Sequence, residues 1–161
     1  MFVELLSRAF RRNQRVIVAH AEGLSHEDSL RQSGYNTNCF NWVLGHIVAG
    51  RDEILELLGG SPVLTKEVAE RYRRESDPIT ADGPGVIGLG DLLAALDETG
   101  LRIEAALAGA DATFMAAEVP SVPGRTATRA DQLLFRYFHD TYHTGQTDVI
   151  RQLSGKSDKI I

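Results

Sequence analysis

His139 and His143 stand four residues apart in the segment FHDTYHTGQ. At about 3.6 residues per turn, that spacing stacks both imidazoles on one helix face, close enough to bind a single ion. His46 lies 93 residues before His139, in NWVLGHIV. Only packing of its helix against the His139 helix can bring the three rings together. Three neutral imidazoles with a fourth position free form the donor set of a catalytic zinc-type site, whereas structural zinc sites are usually closed by four protein ligands. Imidazole nitrogen suits Zn, Ni, Cu or Fe, so the donors do not choose the metal. An H-x-x-x-H pair also arises by chance, and a histidine on an apolar edge is often a hydrogen-bonded core residue. Spacing alone leaves both readings open.

The neighbours of these histidines extend the constellation. Gln146, three residues after His143, is placed to orient a ligand or to hydrogen-bond a histidine's second nitrogen, or to stabilise helix packing. Trp42, one turn before His46, lines a pocket or fills the core. Asp140 faces solvent or supports a ligand from behind. The run His139-Asp140-Thr141-Tyr142-His143 imitates H-E-x-x-H, but Asp replaces the Glu that zincin chemistry uses as base, and no third ligand follows nearby. Glu53, seven residues beyond His46, can approach the same side, but one carboxylate does not make a di-iron site. Gly145 carries a helix-propensity cost of roughly 1 kcal/mol relative to Ala, which a closely approaching helix would explain. His20 and His26 flank a polar connection and read as surface residues. Cys39, the only cysteine, reads as core filler and excludes an intramolecular disulfide.

Four long helices must position these groups. Phe2 to Ala21 carries apolar residues at three- and four-residue spacings. The polar stretch from Gly23 to Thr37 then reads as a connection with a short helical turn. The second helix starts behind an Asn38 cap, carries Phe40, Val43, Leu44, Ile47, Ile54, Leu55 and Leu58, and stops at Gly59-Gly60. A short helix is expected from Thr65 to about Glu75, with Arg71, Arg73 and Arg74 on a solvated face. The segment SDPITADGPGVIGLGD contains a literal GxGxxG, but no strand precedes it, so it reads as a loop. A third helix runs from Asp91 to Ala108. An irregular stretch from Asp111 to Thr126 follows, with an extended piece at Glu118 to Val122. The last helix begins behind Thr128, with Asp131 completing the cap, and ends before Gly155. On this helix Leu134, Phe138, Tyr142, Gly145 and Val149 cluster within about 40° and read as the core-facing stripe, with His139 and His143 at its border. The fold class is therefore all-α, a four-helix bundle with long connections, forming one domain over residues 1–161.

Composition narrows the partners. Lysine and arginine total 17 against 22 acidic residues, a formal charge of −5, which argues against nucleic acid as the partner. No apolar run approaches ~18 residues, and the charged N-terminal segment lacks a signal peptide's apolar region, so no membrane partner is expected. These features, with a single cysteine, fit a soluble cytoplasmic protein.

The stretch NWVLGHIVAGRDEILELLGG resembles the second-helix motif of the DinB/YfiT-like family, in which Asn-Trp precedes Gly-His-Ile. FHDTYHTGQTDVIRQLSG resembles that family's last helix, with two histidines followed by Gly-Gln. The order of helices and the broken segment before the last one extend the resemblance over nearly the whole chain. It implies a four-helix bundle, commonly a homodimer, with one divalent metal ion on His46, His139 and His143: Zn or Ni first, Fe after them. It further implies a small-molecule substrate and a metal-dependent transferase that uses a low-molecular-weight thiol such as bacillithiol or mycothiol. A metal-dependent hydrolase and a non-catalytic metal-binding or stress-response interaction protein are the alternatives.

Overall fold

Thr128 opens the longest helix by accepting a hydrogen bond on Oγ1 from the Asp131 backbone N–H, as its place in the sequence predicts. A computed structural model of the chain describes residues 1–32, 34, 37–156 and 158. Its helices are α1 (Phe2–Ala21), α2 (His26–Leu30), α3 (Phe40–Leu57), α4 (Lys66–Arg71), α5 (Leu89–Ala108), α6 (Ala112–Ala116) and α7 (Arg129–Leu153). Two short strands, β1 (Glu118–Pro120) and β2 (Thr126–Thr128), pair antiparallel with Val119 opposite Ala127. The expected connection before α3 contains α2, capped by Ser25 and Asp28, while Ser33, Tyr35 and Asn36 of that stretch lie outside the described residues.

The boundaries differ from the sequence reading in small ways. Cys39, not Asn38, occupies the N-cap of α3, and its side chain makes no cap bond. Gly59, at φ +82°, ends that helix where expected, since a left-handed backbone there costs glycine no Cβ clash. Thr65 caps α4, which stops at Arg71 rather than near Glu75. The Gly83–Gly88 stretch is a loop, and α5 begins two residues before Asp91.

The four long helices form a ring in which α3 packs on α5 and α7, and α1 packs on the same two, leaving α1 diagonal to α3. Two apolar clusters fill the interior. One gathers Ile17, Phe40, Leu44, Ile47, Tyr72, Leu92 and Leu96; the other gathers Leu6, Phe10, Ile54, Ile103, Leu107 and Leu133. The bundle is all-α apart from its one two-stranded ribbon among the described residues. No helix among them is long and apolar enough to cross a membrane.

Helix α7 corrects the sequence reading most. Its buried residues are Leu133, Asp140, Thr144, Thr147, Ile150 and Arg151. The apolar stripe faces outward: Leu134, Phe135, Phe138, Tyr142 and Val149 are exposed, Phe138 at 64% and Tyr142 at 58%. The inward face is polar because α1 and α3 offer it hydrogen-bond partners, which removes most of the penalty of burying those groups. His20 is also corrected. It is 2% exposed rather than on the surface, because its Nδ1 lies 2.8 Å from the hydroxyl of Thr147. His26 is half-buried and accepts a hydrogen bond on Nδ1 from the Leu89 backbone N–H.

Candidate metal centre

The packing of α3 against α7 brings His46, His139 and His143 together, with one donor nitrogen from each lying within 4.8 Å of the others. Their ring centroids are 4.5 to 4.9 Å apart. The Nε2 atoms of His46 and His139 face each other at 3.1 Å. Two such lone pairs need a proton or a cation between them. Nitrogens bound to one tetrahedral ion at about 2.0–2.1 Å sit roughly 3.3 Å from each other, so the arrangement fits an ion after small rotations.

The far side of two rings is held in the tautomer that metal binding needs. His46 Nδ1–H donates to the Tyr72 carbonyl at 2.7 Å, which leaves Nε2 with a free lone pair. His143 Nδ1–H donates to Gln146 Oε1, also at 2.7 Å, with the same consequence. Of the contacts its spacing offers, Gln146 makes the hydrogen bond to a histidine's second nitrogen. Trp42 stacks on His46 at 4.8 Å with a 16° interplanar angle, while its indole N–H donates to Ser76.

Burial pushes all three imidazoles toward the neutral form. For His139, burial is the largest cause, the neighbouring His143 and His46 add to it, and the pKa falls to about 4. Burial likewise lowers His46 and His143, opposed in part by their hydrogen bonds to Tyr72 and Gln146. Neutral imidazole is the ligand form, so little proton competition remains at pH 7.

Asp140 neither faces solvent nor enters this cluster as a ligand. It is 3% exposed, with Oδ2 paired to Arg51 Nε at 2.8 Å and Oδ1 accepting from Asn13 Nδ2 at 2.7 Å. Both oxygens are directed at Asn13 and Arg51 rather than at the histidine cluster, which removes the zincin resemblance. Gly145 faces open space rather than a neighbouring helix. The close approach occurs at Gly45, where an added Cβ would overlap the Tyr72 ring.

The cluster lies on the wall of an open cleft of about 1870 Å³. Trp42, Phe135, Tyr142 and Val149 supply apolar surface there; Glu53 and Arg136 supply charge and form an ion pair from α3 to α7. Sequence spacing offered Glu53 but gave no sign of Tyr72, Arg51 or Arg136. Tyr72 acts through a backbone carbonyl, which leaves no side-chain signature, and the two arginines sit among other helical charges.

A cluster of three histidines between two helices of a four-helix bundle, opening onto a cleft, defines the class of structure. A sequence profile described as the DinB superfamily matches residues 9–147, and the chain belongs to that superfamily. Its fold is similar to the crystal structure of a conserved protein from Enterococcus faecalis, with a TM-score of 0.74 at 15% identity, covering 94% of this chain and 95% of that one. No curated protein matches the chain.

Proposed function

We propose that His46, His139 and His143 hold one divalent ion, Zn or Ni in preference to Fe, and that the ion activates a low-molecular-weight thiol for transfer to a small electrophilic substrate. The carrying observation is the convergence of three neutral imidazoles with two of their outer nitrogens already hydrogen-bonded. A bound ion in such a site binds a thiol and favours its thiolate, or lowers the pKa of bound water. The protein's own part is to keep the ligand nitrogens unprotonated and leave one side of the cluster open to the cleft. Membership of the superfamily supports the thiol reading by resemblance.

The test is elemental analysis of the purified protein beside His46→Ala and His139→Ala variants, followed by a thiol and electrophile screen. One equivalent of metal in the wild type and its loss in both variants are expected. Full retention of metal in both variants overturns the ligand assignment. Turnover with water but no thiol would favour the hydrolase reading.

The homodimer that the resemblance implies has a candidate interface in the outward apolar face of α7. Phe138, Tyr142 and Val149 are exposed on one side of α7, and exposed apolar side chains of this kind mark association surfaces.

A further inference from the structure

Between the two apolar clusters lies a buried polar layer that touches all four long helices. Arg51 of α3, 1% exposed, donates from Nε to Asp140 of α7. Its Nη1 donates to Gln14 Oε1 of α1 at 2.9 Å and to the Leu96 carbonyl of α5 at 3.4 Å. Asn13 of α1 closes the layer, donating to Asp140 Oδ1 and to Thr141 Oγ1. On α1, α3 and α7 the layer falls between the clusters: after Phe10 and before Ile17 on α1, after Val48 and before Ile54 on α3, and between Leu133 and Ile150 on α7; on α5 it meets the carbonyl of Leu96, at the edge of the first cluster. Arg51 Nη2 is buried without a protein hydrogen-bond partner among the described residues.

An ion pair this deep is a weak source of stability, because desolvation offsets the attraction; apolar replacements of similar volume are often neutral or stabilising. Its strength lies in direction. Leucine and isoleucine side chains tolerate repacking, but a planar guanidinium that donates at once to Asp140, Gln14 and the Leu96 carbonyl fits one arrangement of the four helices. Sliding α3 along α7 by one turn, about 5.4 Å, would strand both charges in the apolar interior. The same slide would break the histidine cluster, since Asp140 directly follows His139 and Arg51 is five residues beyond His46.

From this placement we infer that the Arg51–Asp140 pair, with Asn13 and Gln14, is a positioning device. It fixes the register of α3 against α7 so that His46 meets His139 and His143. The inference rests on the metal-site reading for its functional meaning, but its geometry is measurable without metal.

The test compares wild type with Arg51→Met/Asp140→Leu, which removes both charges together. Zinc affinity is read by competition with a chromophoric chelator, stability by thermal melting, and ring proximity by proton NMR contacts between His46 and His139 in metal-free protein. The double variant is expected to melt at or above the wild-type temperature, to bind zinc at least tenfold more weakly, and to lose the ring contacts. A merely structural pair would instead lower melting and leave both other readouts in place. A folded double variant with wild-type zinc affinity and ring contacts overturns the inference. Arg51→Lys keeps the charge without the fork and is expected to weaken zinc binding by a smaller factor and to thin the ring contacts. Unchanged values in that variant overturn the inference even if the double variant does not fold. If wild type binds none of zinc, nickel and ferrous iron, the metal reading fails, while the ring contacts still decide the positioning role.

Discussion

The Tyr72 carbonyl accepts the Nδ1 proton of His46 at 2.7 Å, and the ring of the same tyrosine lies against Gly45. One residue outside the long helices therefore sets both the tautomer and the position of His46. Its hydroxyl is anchored in turn, donating to Asn41 Oδ1 and accepting from the Ile87 N–H. Gly45→Ala forces a Cβ into that ring. Overpacking of this kind costs about 1–3 kcal/mol, and here it also displaces the carbonyl from His46. A lower melting temperature and weaker zinc binding are expected together, checked by calorimetry and competition titration. Gly50→Ala serves as the control, since its added Cβ would meet the His139 ring at an ordinary 3.5 Å.

Gln146→Leu tests the second outer hydrogen bond. Removing the acceptor of a ligating histidine's N–H costs about 10–100-fold in metal affinity. That loss is expected with little change in melting, because Gln146 is half-buried and belongs to neither apolar cluster. Affinity within twofold of wild type would show that His143 needs no such support.

Much of this site is legible in the sequence because its histidines sit on helices whose ends are punctuated. Thr128 with Asp131, and Gly59, mark boundaries that physical rules predict, and His-x-x-x-His places two rings on one face whatever the helix packs against. The facing of α7 was not legible. Periodicity locates a stripe but assumes that apolar means inward, and here Asp140, Thr144, Thr147 and Arg151 point inward with partners supplied by other helices. His20 was misplaced for the same reason, since its partner Thr147 is 127 residues away. Such partners appear only when the chain is folded.

Metal removal should register in stability. A ligand that binds only the folded state at about 100 times its Kd stabilises by about 2.7 kcal/mol. For a chain of this length that corresponds to roughly 5–10 °C in Tm. Chelator treatment is expected to lower the melting temperature by that order, and added zinc to restore it. His139→Ala protein should melt at the same temperature with and without chelator.

Phe138→Glu addresses the outer face of α7. The side chain is 64% exposed, so the bundle loses almost no packing when it is replaced. If this face joins two copies, a carboxylate in its middle is desolvated opposite its own symmetry mate, and association fails. Light scattering coupled to gel filtration is expected to give dimer for wild type and monomer for the variant, at matched helicity and melting. A wild type that is monomeric at micromolar concentration removes the proposed interface.

His20 carries a pH dependence that does not involve the histidine cluster. Burial lowers its pKa from 6.5, Arg151 adds to that, and Asp148 opposes it. Thr147 Oγ1 donates to the Thr144 carbonyl, so it accepts from His20 Nδ1–H and leaves the buried Nε2 with a lone pair 3.8 Å from Asp148 Oδ1. The unfolded chain thus takes up a proton at a higher pH than the folded one. Below about pH 6.5 the unfolded state binds the extra proton first, so stability falls with pH until the folded pKa is also passed; above pH 6.5 the contribution is flat. His20→Asn retains an N–H for Thr147 and removes the titration. Urea unfolding of metal-free protein between pH 4 and 8 is expected to give wild type its advantage over His20→Asn at neutral pH, with the gap narrowing as pH falls below 6.5. Curves that stay parallel across this range would mean that His20 binds protons equally in both states.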